Sequence, residues 1–352
     1  MLLMELDSVY NMPKPRYAVV FINRWCPRQC TYCKSRLVKP SKLLKPEEWI
    51  KAFEVLKDND VKFFLILGNE VLVYPGIVDL VKMLRENGFW GMYAMYSTFP
   101  EPWYSLLRYK LVDAGLYNMS AGVDIVSGIT TGDESVDAKS VWGLEQLIWF
   151  REQGVPDLDA TITIHRYNYR YLDKILDVVT SNGIWGNVNM IHYSEDGLHD
   201  FYGTVEELKS FIIPESEREE FKYVMYYLAE QVRRGRWMFY PPPEYLELLG
   251  DLGGKPIWHC SLPLEIAIEA DGELRLCGYR PFFKHRGYSV FDIGSKITIY
   301  DYMRWFMEER KDCPGCVWSC FYTAEYWYYR DVGFGDKVFQ QHASKYWRGG
   351  SS

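Results

Sequence analysis

The sequence predicts an α/β protein built around a parallel sheet. Apolar runs of strand length alternate with patterns of helical period through the first half of the chain. The predicted strands cover 17–23, 61–68, 91–98, 117–124, 158–166 and 186–193. The helices predicted between them cover 46–58, 75–87, 101–114, 137–153 and 168–182. Such alternation requires right-handed crossovers and parallel strands, and it is typical of both barrels and open doubly wound sheets.

Individual segments support these elements. The Pro-Glu-Glu run at 46–48 is typical of a helix start, because proline fits the first turn and carboxylates favour the positive end of the helix dipole. Residues 213–235 form a further amphipathic pattern that ends at a glycine, and the proline- and glycine-rich stretch 241–256 predicts a linker. The alternating residues of 264–277 flank a central Asp-Gly pair, which predicts a β-hairpin.

Composition and charge exclude several classes of protein. The 352 residues are 48% hydrophobic and 25% charged, which provides enough apolar material for a sizeable core. The net charge of −7 does not favour non-specific nucleic-acid binding, which depends on positive charge. No apolar run reaches the ~18 residues that a membrane span needs, so we expect a cytoplasmic protein without a membrane-spanning helix.

The eight cysteines fall into two groups. Their positions are Cys26, Cys30, Cys33, Cys260, Cys277, Cys313, Cys316 and Cys320. Thiolates gathered at short spacing favour a metal site over disulfides, because one loop can direct several sulfurs to a single centre. The first group supplies three thiolates and no nearby histidine, whereas structural zinc usually takes two pairs of ligands. Three thiolates from one loop suit three irons of a cubane cluster and leave the fourth iron open for a ligand.

The spacing C-x3-C-x2-C, with Tyr32 before the last cysteine, resembles the signature of the radical S-adenosylmethionine (radical SAM) superfamily. The loop follows the first predicted strand, as active-site loops of parallel α/β folds do. The resemblance implies a partial (β/α)6 barrel similar to a TIM barrel. It also implies a 4Fe-4S cluster on Cys26, Cys30 and Cys33, with S-adenosylmethionine at the open iron, and an external electron donor such as flavodoxin or ferredoxin.

The same resemblance assigns polar residues at the other strand ends to S-adenosylmethionine. Gly68-Asn69-Glu70 resembles the family's Gly-Gly-Glu motif, with asparagine at its centre, and Glu70 has the charge to meet the amino group of the cofactor. The other cofactor-binding candidates are Tyr32, Ser97, Thr98, Asp124, His165, Arg166, Asn168 and His192. Taken singly, each of these residues is also consistent with a cap or a turn. Their common position at one edge of the predicted sheet favours the cofactor role.

The C-terminal cysteines resemble those of the SPASM domain, which holds auxiliary clusters in many radical SAM enzymes, and of its shortened form, the twitch domain. The pattern C-x11-G-x4-C spans the predicted hairpin. Five sulfurs cannot fill two clusters that need four cysteines each, so one auxiliary 4Fe-4S cluster is expected. Its expected ligands are Cys260, Cys277, Cys313 and Cys316. Cys320 is either a ligand or a free thiol, and C-x2-C pairs also suit zinc.

These features lead to a hypothesis of function. The resemblance implies an oxidoreductase that cleaves S-adenosylmethionine to a 5′-deoxyadenosyl radical and takes a hydrogen atom from an unactivated C–H bond of a small-molecule or peptide substrate. The expected outcome is an oxidation or a bond formation assisted by the one auxiliary cluster. The first strand begins near residue 17, which is expected to leave no space for a recognition domain before the barrel. This favours a small molecule, or a peptide held in another way. The alternatives are a redox-neutral epimerase with Cys320 as hydrogen donor and a non-catalytic iron–sulfur or zinc protein.

The predicted domain organisation follows from these features. The barrel is expected over 1–212, a bridging helix and linker over 213–255, the auxiliary cluster domain over 256–325, and an aromatic C-terminal tail over 326–352. The partial barrel and the small domain with its hairpin together define the predicted fold class.

Overall fold

One sheet of eight strands organises the part of the chain that this computed structural model describes, which is residue 10 and residues 12–34, 42–193, 203–278 and 286–330. The strands are β1 (Tyr17–Phe21), β2 (Phe63–Leu67), β3 (Tyr93–Ser97), β4 (Asn118–Gly122), β5 (Asp157–Ile164), β6 (Trp185–Met190), β7 (Glu265–Ile268) and β8 (Leu274–Arg275). The helices are α1 (Pro46–Asp58), α2 (Ile77–Glu86), α3 (Trp103–Asp113), α4 (Glu134–Glu152), α5 (Leu172–Ser181), α6 (Arg218–Arg233), α7 (Pro243–Asp251), α8 (Ile299–Glu309) and α9 (Ser319–Arg330). Across the sheet the order is β6-β5-β4-β3-β2-β1-β7-β8.

The first six strands are parallel and lie side by side in chain order. Each of them corresponds to a predicted strand and ends one to three residues earlier than predicted, because its last residues turn into the loops of the site. A doubly wound sheet would reverse its strand order at a switch point, so the observed order excludes that alternative. The order agrees with the predicted partial barrel of six β/α units.

β1 is covered on both of its faces. Ala18 and Val20 are fully buried in the core that also contains the apolar face of α1. The alternate residues Tyr17, Val19 and Phe21 are buried in a second cluster together with apolar residues of α9. We call the side of the sheet that carries these alternate residues the inner face. Fully burying one large apolar side chain contributes about 1.5–3 kcal/mol relative to exposing it, so both layers stabilise the strand.

The C-terminal hairpin continues the same sheet. β7 pairs in parallel with β1, and β8 pairs antiparallel with β7, so the predicted hairpin is confirmed. Gly272 at its turn has a φ of 89°, a conformation that glycine adopts without strain. The register places Tyr17 beside Glu265. The hairpin therefore lies next to the strand that leads into the N-terminal cysteines.

The stretch that predicts a linker contains a helix. Pro243 is the first residue of α7, where the missing N–H of proline costs nothing. Gly250 lies close to α6, because a Cβ at this position would be 3.2 Å from the Cβ of Met225. The prolines that suggest a linker thus begin a packed helix. α8 and α9 also lie outside the predicted elements.

Among the described residues, no helix is both long enough and apolar enough to cross a membrane. Every candidate site residue from the sequence lies in the described parts of the chain. Of the predicted aromatic tail, residues 331–352 lie outside them.

Candidate active site

The N-terminal cysteine loop leaves the carboxyl end of β1, where parallel α/β folds place their active sites. Cys26 and Cys30 are buried, and Cys33 is half-buried. A turn joins the last two, since the Cys33 N–H donates to the Cys30 carbonyl at 3.1 Å. Burial raises the pKa of the Cys26 thiol to about 12, and the nearby Glu70 carboxylate adds to the effect. The loop therefore carries its three thiols on one short segment.

Asn23 fixes the start of this loop. Its Oδ1 accepts from the Trp25 N–H at 2.9 Å, and its Nδ2 donates to the Trp25 carbonyl at 2.7 Å and to the Glu70 carbonyl at 2.8 Å. Asn69 makes a second contact between the same two segments, because its side-chain amide donates to the carbonyl of Arg24. The segment Gly68-Asn69-Glu70 and the cysteine loop are therefore held together by backbone and amide groups.

Glu70 is fully buried, and its carboxylate joins the ends of β2 and β3. Oε1 accepts from the Ser97 hydroxyl at 2.7 Å and from the Leu72 N–H at 2.9 Å. Oε2 accepts from the Thr98 hydroxyl at 2.6 Å and from the Thr98 N–H at 2.7 Å. Burial raises the pKa of Glu70, and these four donors oppose the rise. The structure thus brings Glu70, Ser97 and Thr98 together, with the carboxylate bound to protein groups.

The chain bends sharply after β3. Phe99 has a φ of 48°, which is uncommon for a bulky residue and indicates local backbone strain. Its carbonyl accepts from the Trp142 indole at 3.0 Å and from Arg28 at 3.1 Å, and Arg28 also donates to the Thr98 carbonyl at 2.8 Å. Because Arg28 lies between the first two cysteines, this bend attaches the cysteine loop to the end of β3.

Asp124, Lys139 and Tyr32 form a buried polar cluster beside the cysteine loop. Lys139 Nζ donates to Asp124 Oδ2 at 2.7 Å and to Tyr32 Oη at 2.8 Å. The Tyr32 hydroxyl donates to the same Asp124 oxygen at 2.7 Å. Burial opposes ionisation of Asp124, but the Lys139 charge outweighs it and holds the pKa of Asp124 below its ordinary value. The cluster attaches Tyr32 to the end of β4 and to α4.

Three candidate polar residues follow β5, and two of them lie inside the site while the third lies at the surface. Asn168 Nδ2 donates to the Asp124 carbonyl at 2.9 Å, and its Oδ1 accepts from the His165 N–H at 2.8 Å, so it orders this turn. His165 is fully buried, and burial lowers its pKa to about 4, which keeps the imidazole neutral. Arg166 forms a surface ion pair with Glu217 at 2.8 Å. The structure therefore places Asn168 and His165 beside Asp124 and directs Arg166 outward.

His192 contacts the C-terminal cysteine segment. Its Nε2 accepts from the Val317 N–H at 2.9 Å, and its ring stacks on Trp318 with centroids 4.4 Å apart. His192 also contributes to lowering the pKa of the Cys316 thiol, after the larger effect of Cys260. The sequence groups His192 with the cofactor residues, whereas the structure groups it with the second set of cysteines.

Four of the five C-terminal cysteines gather beside β1 and α9, whereas Cys313 packs against the main core. The members that pack with the inner face of β1 are Cys260, Cys277, Cys316 and Cys320. The Cys316 N–H donates to the Trp258 carbonyl at 2.7 Å, and the Cys260 and Cys316 thiols are close enough for each to shift the pKa of the other. Arg310 donates to the Cys260 carbonyl at 2.9 Å. This site is therefore held in place by protein contacts.

None of the eight cysteines, all of which lie in the described parts of the chain, forms a disulfide. Among the described residues, no group of three His, Cys, Asp or Glu side chains lies close enough to hold a single metal ion. A cubane cluster makes a different demand, because each thiolate binds its own iron. The N-terminal loop fits this demand with three thiols on one segment, two of them buried, at the carboxyl end of a parallel strand.

Several residues of this site are absent from the sequence prediction. Lys139 is one, because nothing in a single sequence pairs it with Asp124. Asp159 is another, although a local signal for it exists. β5 alternates polar and apolar residues, and this period-2 pattern predicts a polar inner face. Arg24 and Glu269, which meet across 245 residues of sequence, are also missing from it.

Comparisons with known proteins agree with this geometry. Residues 20–127 match the family model of the Radical SAM superfamily. A crystal structure of Streptococcus suis SuiB is similar with a TM-score of 0.59 and 12% identity, over 88% of this chain and 70% of that chain. The structure of SuiB bound to S-adenosylmethionine is similar with a TM-score of 0.55 and 13% identity, over 88% of this chain and 69% of that chain. The structure of SuiB bound to precursor peptide SuiA is similar with a TM-score of 0.59 and 13% identity, over 96% of this chain and 78% of that chain. At this identity the likeness shows a shared fold, and the family model matches the segment from the end of β1 to just after β4, which carries the N-terminal cysteine loop.

Proposed function

We propose that this chain is a radical SAM enzyme that modifies a C–H position of a peptide. Cys26, Cys30 and Cys33 would hold a 4Fe-4S cluster whose open iron takes S-adenosylmethionine. A bound cluster of this type supplies the electron that splits S-adenosylmethionine, and the resulting 5′-deoxyadenosyl radical takes a hydrogen atom from the substrate. The observation that carries the proposal is the attachment of one three-cysteine loop to three neighbouring strand ends.

The residues around the loop have supporting roles in this proposal. Asn23 and Arg28 fix the loop against β2 and β3, and Tyr32 is held by the Lys139–Asp124 pair. Since the protein already saturates the Glu70 carboxylate, we assign it to orienting Ser97 and Thr98. S-adenosylmethionine would bind at these strand ends, and the candidates that remain closest to the loop are Gly68, Asn69, Ser97, Thr98, Asp124, His165 and Asn168.

A peptide substrate is supported by the SuiB structure that contains a precursor peptide, because its similarity extends over 96% of this chain. The inner face offers polar groups for such a substrate. Asp159 is half-buried there, and its Oδ1 accepts from the Ser120 hydroxyl at 2.7 Å and the Thr161 hydroxyl at 3.0 Å. A small-molecule substrate is the alternative, and substrate assays with both classes distinguish them.

We also propose one auxiliary 4Fe-4S cluster on the C-terminal cysteines. The proposed ligands are Cys260, Cys277, Cys313 and Cys316. The contact between the Cys260 and Cys316 thiols supports a shared site. An auxiliary cluster that accepts an electron from the substrate radical would make the net reaction an oxidation, which accounts for the oxidoreductase assignment.

Anaerobic reconstitution with iron and sulfide tests this function. We expect about eight irons per chain, and 5′-deoxyadenosine after addition of dithionite and S-adenosylmethionine. Cys30→Ala and the matched variant Cys313→Ala should each bind about four irons. Only Cys30→Ala should lose 5′-deoxyadenosine formation. A wild-type protein that binds no iron, or a Cys30→Ala variant that still cleaves S-adenosylmethionine, contradicts the proposal.

Cys320 supports a second candidate, redox-neutral epimerisation. Its thiol packs with the inner face of β1, and burial raises its pKa well above the ordinary value, so it retains a hydrogen atom to donate. Epimerisation in D2O would place one deuterium in the product without net oxidation, and Cys320→Ala would abolish that incorporation. An oxidised product without deuterium would favour the first candidate.

A further inference from the structure

One carboxylate connects the two cysteine-bearing segments of the chain. Glu269, which directly follows β7, accepts from Arg24 Nε at 2.9 Å and from Arg24 Nη2 at 2.6 Å. Its Oε1 also accepts from Arg275 Nη1 at 2.6 Å. We call Arg24, Glu269 and Arg275 the arginine bridge. Both guanidinium groups form charge-assisted bonds, and the bidentate pair fixes orientation as well as distance.

The two arginines of the bridge are buried, Glu269 is half-buried, and the bridge is anchored at both ends. The Arg24, Glu269 and Arg275 side chains are 8%, 15% and 7% exposed. The Arg24 guanidinium lies 3.6 Å from the centre of the Phe21 ring, a close cation–π contact. At the other end, the Arg275 carbonyl accepts from the Tyr302 hydroxyl at 2.8 Å. The two arginines hold the pKa of Glu269 at about 2, against the opposing effect of burial.

The position of the bridge gives it a consequence for the cysteines. Arg24 lies two residues before Cys26, and Arg275 lies two residues before Cys277. β1 and β7 pair up to Val20 and Ile268, so the bridge continues their association beyond the last paired residues. The N-terminal cysteine loop has little regular secondary structure, and its entry is therefore held to the hairpin by side chains.

We propose that Glu269 is a positioning residue that holds the N-terminal cysteine loop against the C-terminal hairpin and sets the charge beside a cluster bound there. The first part stands on the protein contacts alone. The second part rests on the proposed function, because it concerns a cluster on Cys26, Cys30 and Cys33. Losing the carboxylate leaves the charge of two arginines near that cluster without the same compensation, which favours its more negative, reduced form.

Glu217 provides a matched control. It also accepts from two arginines, Arg166 at 2.8 Å and Arg170 at 3.1 Å, and its side chain is 16% exposed. It joins the turn after β5 to the start of α6 and contacts neither cysteine segment. Glu217→Gln therefore reports the general effect of losing a shared carboxylate, and Glu269→Gln reports the specific effect on the cysteines.

Hydrogen exchange on the protein purified without cluster tests the first part. Glu269→Gln should raise amide exchange over residues 22–34 by about tenfold or more, while β4 to β6 stay protected. Glu217→Gln should leave residues 22–34 unchanged. Equal exchange in Glu269→Gln and wild type, or an equal rise in both variants, overturns the positioning role. This result does not depend on cluster binding, so a protein that takes up no iron would contradict the proposed function alone.

A redox titration of the reconstituted protein tests the second part. We follow the iron–sulfur EPR signal that changes when S-adenosylmethionine is added, which identifies the N-terminal cluster. Glu269→Gln should shift the midpoint potential of this signal upward, whereas Glu269→Asp, which keeps the charge, should stay close to wild type. A potential that is unchanged or lower in Glu269→Gln overturns the electrostatic role. If Glu269→Gln does not fold, Glu269→Asp still tests the electrostatic role, and a raised midpoint potential in Glu269→Asp overturns it.

Discussion

Replacing Lys139 by methionine should destabilise the protein by about 3–5 kcal/mol, the usual cost of removing one partner from a buried ion pair. The Lys139 and Asp124 side chains are 4% and 0% exposed, and their charged atoms lie 2.7 Å apart. Methionine fills a similar volume, so the loss reports the charge rather than a cavity. What remains is a carboxylate in the interior with the Tyr32 hydroxyl and the Thr163 N–H as its donors.

The cost should fall when both charges are removed together. Lys139→Met combined with Asp124→Asn leaves no uncompensated buried charge, so the double variant should be more stable than the sum of the two single losses predicts. The difference measures the coupling between the two side chains. Urea unfolding of the four proteins, followed by tryptophan fluorescence, provides the required free energies.

The pH dependence of the loss has a defined sign. In the wild type the pKa of Asp124 is lowered, so its ionisation stabilises the folded state above the unfolded pKa of about 3.9, and this contribution is lost as the pH falls through the lowered value. In Lys139→Met, burial without the ammonium raises the pKa of Asp124, and ionisation then destabilises. The deficit of the variant should therefore be largest near pH 8 and should shrink toward about pH 5. A deficit that is independent of pH, or a single variant as stable as wild type, refutes this reasoning.

Three further changes have expected outcomes. Glu325→Ala removes the hydrogen bonds that Glu325 accepts from Ser261 and its neighbour, and should lower the free energy of unfolding by about 1–3 kcal/mol in urea unfolding. Gly122→Ala should cost a similar amount, about 1–3 kcal/mol, because the new Cβ would lie 2.5 Å from the Tyr96 hydroxyl oxygen. Burial raises the pKa of Asp159 to about 7, so the wild type should lose stability as the pH rises from about 4 to about 7, and Asp159→Asn should not show this loss.

Each of these outcomes has a matched comparison. Glu325→Gln keeps one acceptor oxygen and should lose less stability than the alanine variant. Combining Gly122→Ala with Tyr96→Phe removes the hydroxyl oxygen that the new Cβ would meet, so the double variant should lose less stability than the sum of the two single losses. If the stability of Asp159→Asn has the same pH profile as that of the wild type, the loss of stability comes from other titrating groups.

The periodicity of the sequence was sufficient to predict the parallel part of the fold. β1 to β6 and the helices between them follow from local patterns, because a buried strand and an amphipathic helix each carry their signal within a few residues. The parallel pairing of β7 with β1 could not be predicted in this way. It joins segments about 250 residues apart, and nothing in the hairpin specifies which edge it extends. Likewise, a run of prolines is typical both of a linker and of a helix N-terminus, so the start of α7 could not be distinguished from a linker by its composition.

The candidate site shows a similar division. The sequence indicates which residues end each strand, and Glu70, Ser97 and Thr98 do meet. It does not indicate what each side chain contacts, since that depends on segments distant in sequence. His192 is the clearest case. It is predicted to end the sixth strand but lies two residues after β6, and its imidazole accepts from the Val317 N–H of the segment before α9.

Three carboxylates hold the N-terminal cysteine loop, and each acts on a different part of it. Glu70 and Asp124 are buried, and Glu269 is half-buried. Glu269 binds Arg24 at the entry, Glu70 binds the end of β3 that receives Arg28, and Asp124 binds Tyr32 at the exit. A loop with little secondary structure would otherwise pay a large conformational entropy cost on receiving a cluster. Because the attachments lie at separate residues, their losses should be close to additive, and each should raise hydrogen exchange mainly in its own part of the loop. Uniform loosening of the whole loop by any single loss would instead show that the three attachments act as one cooperative unit.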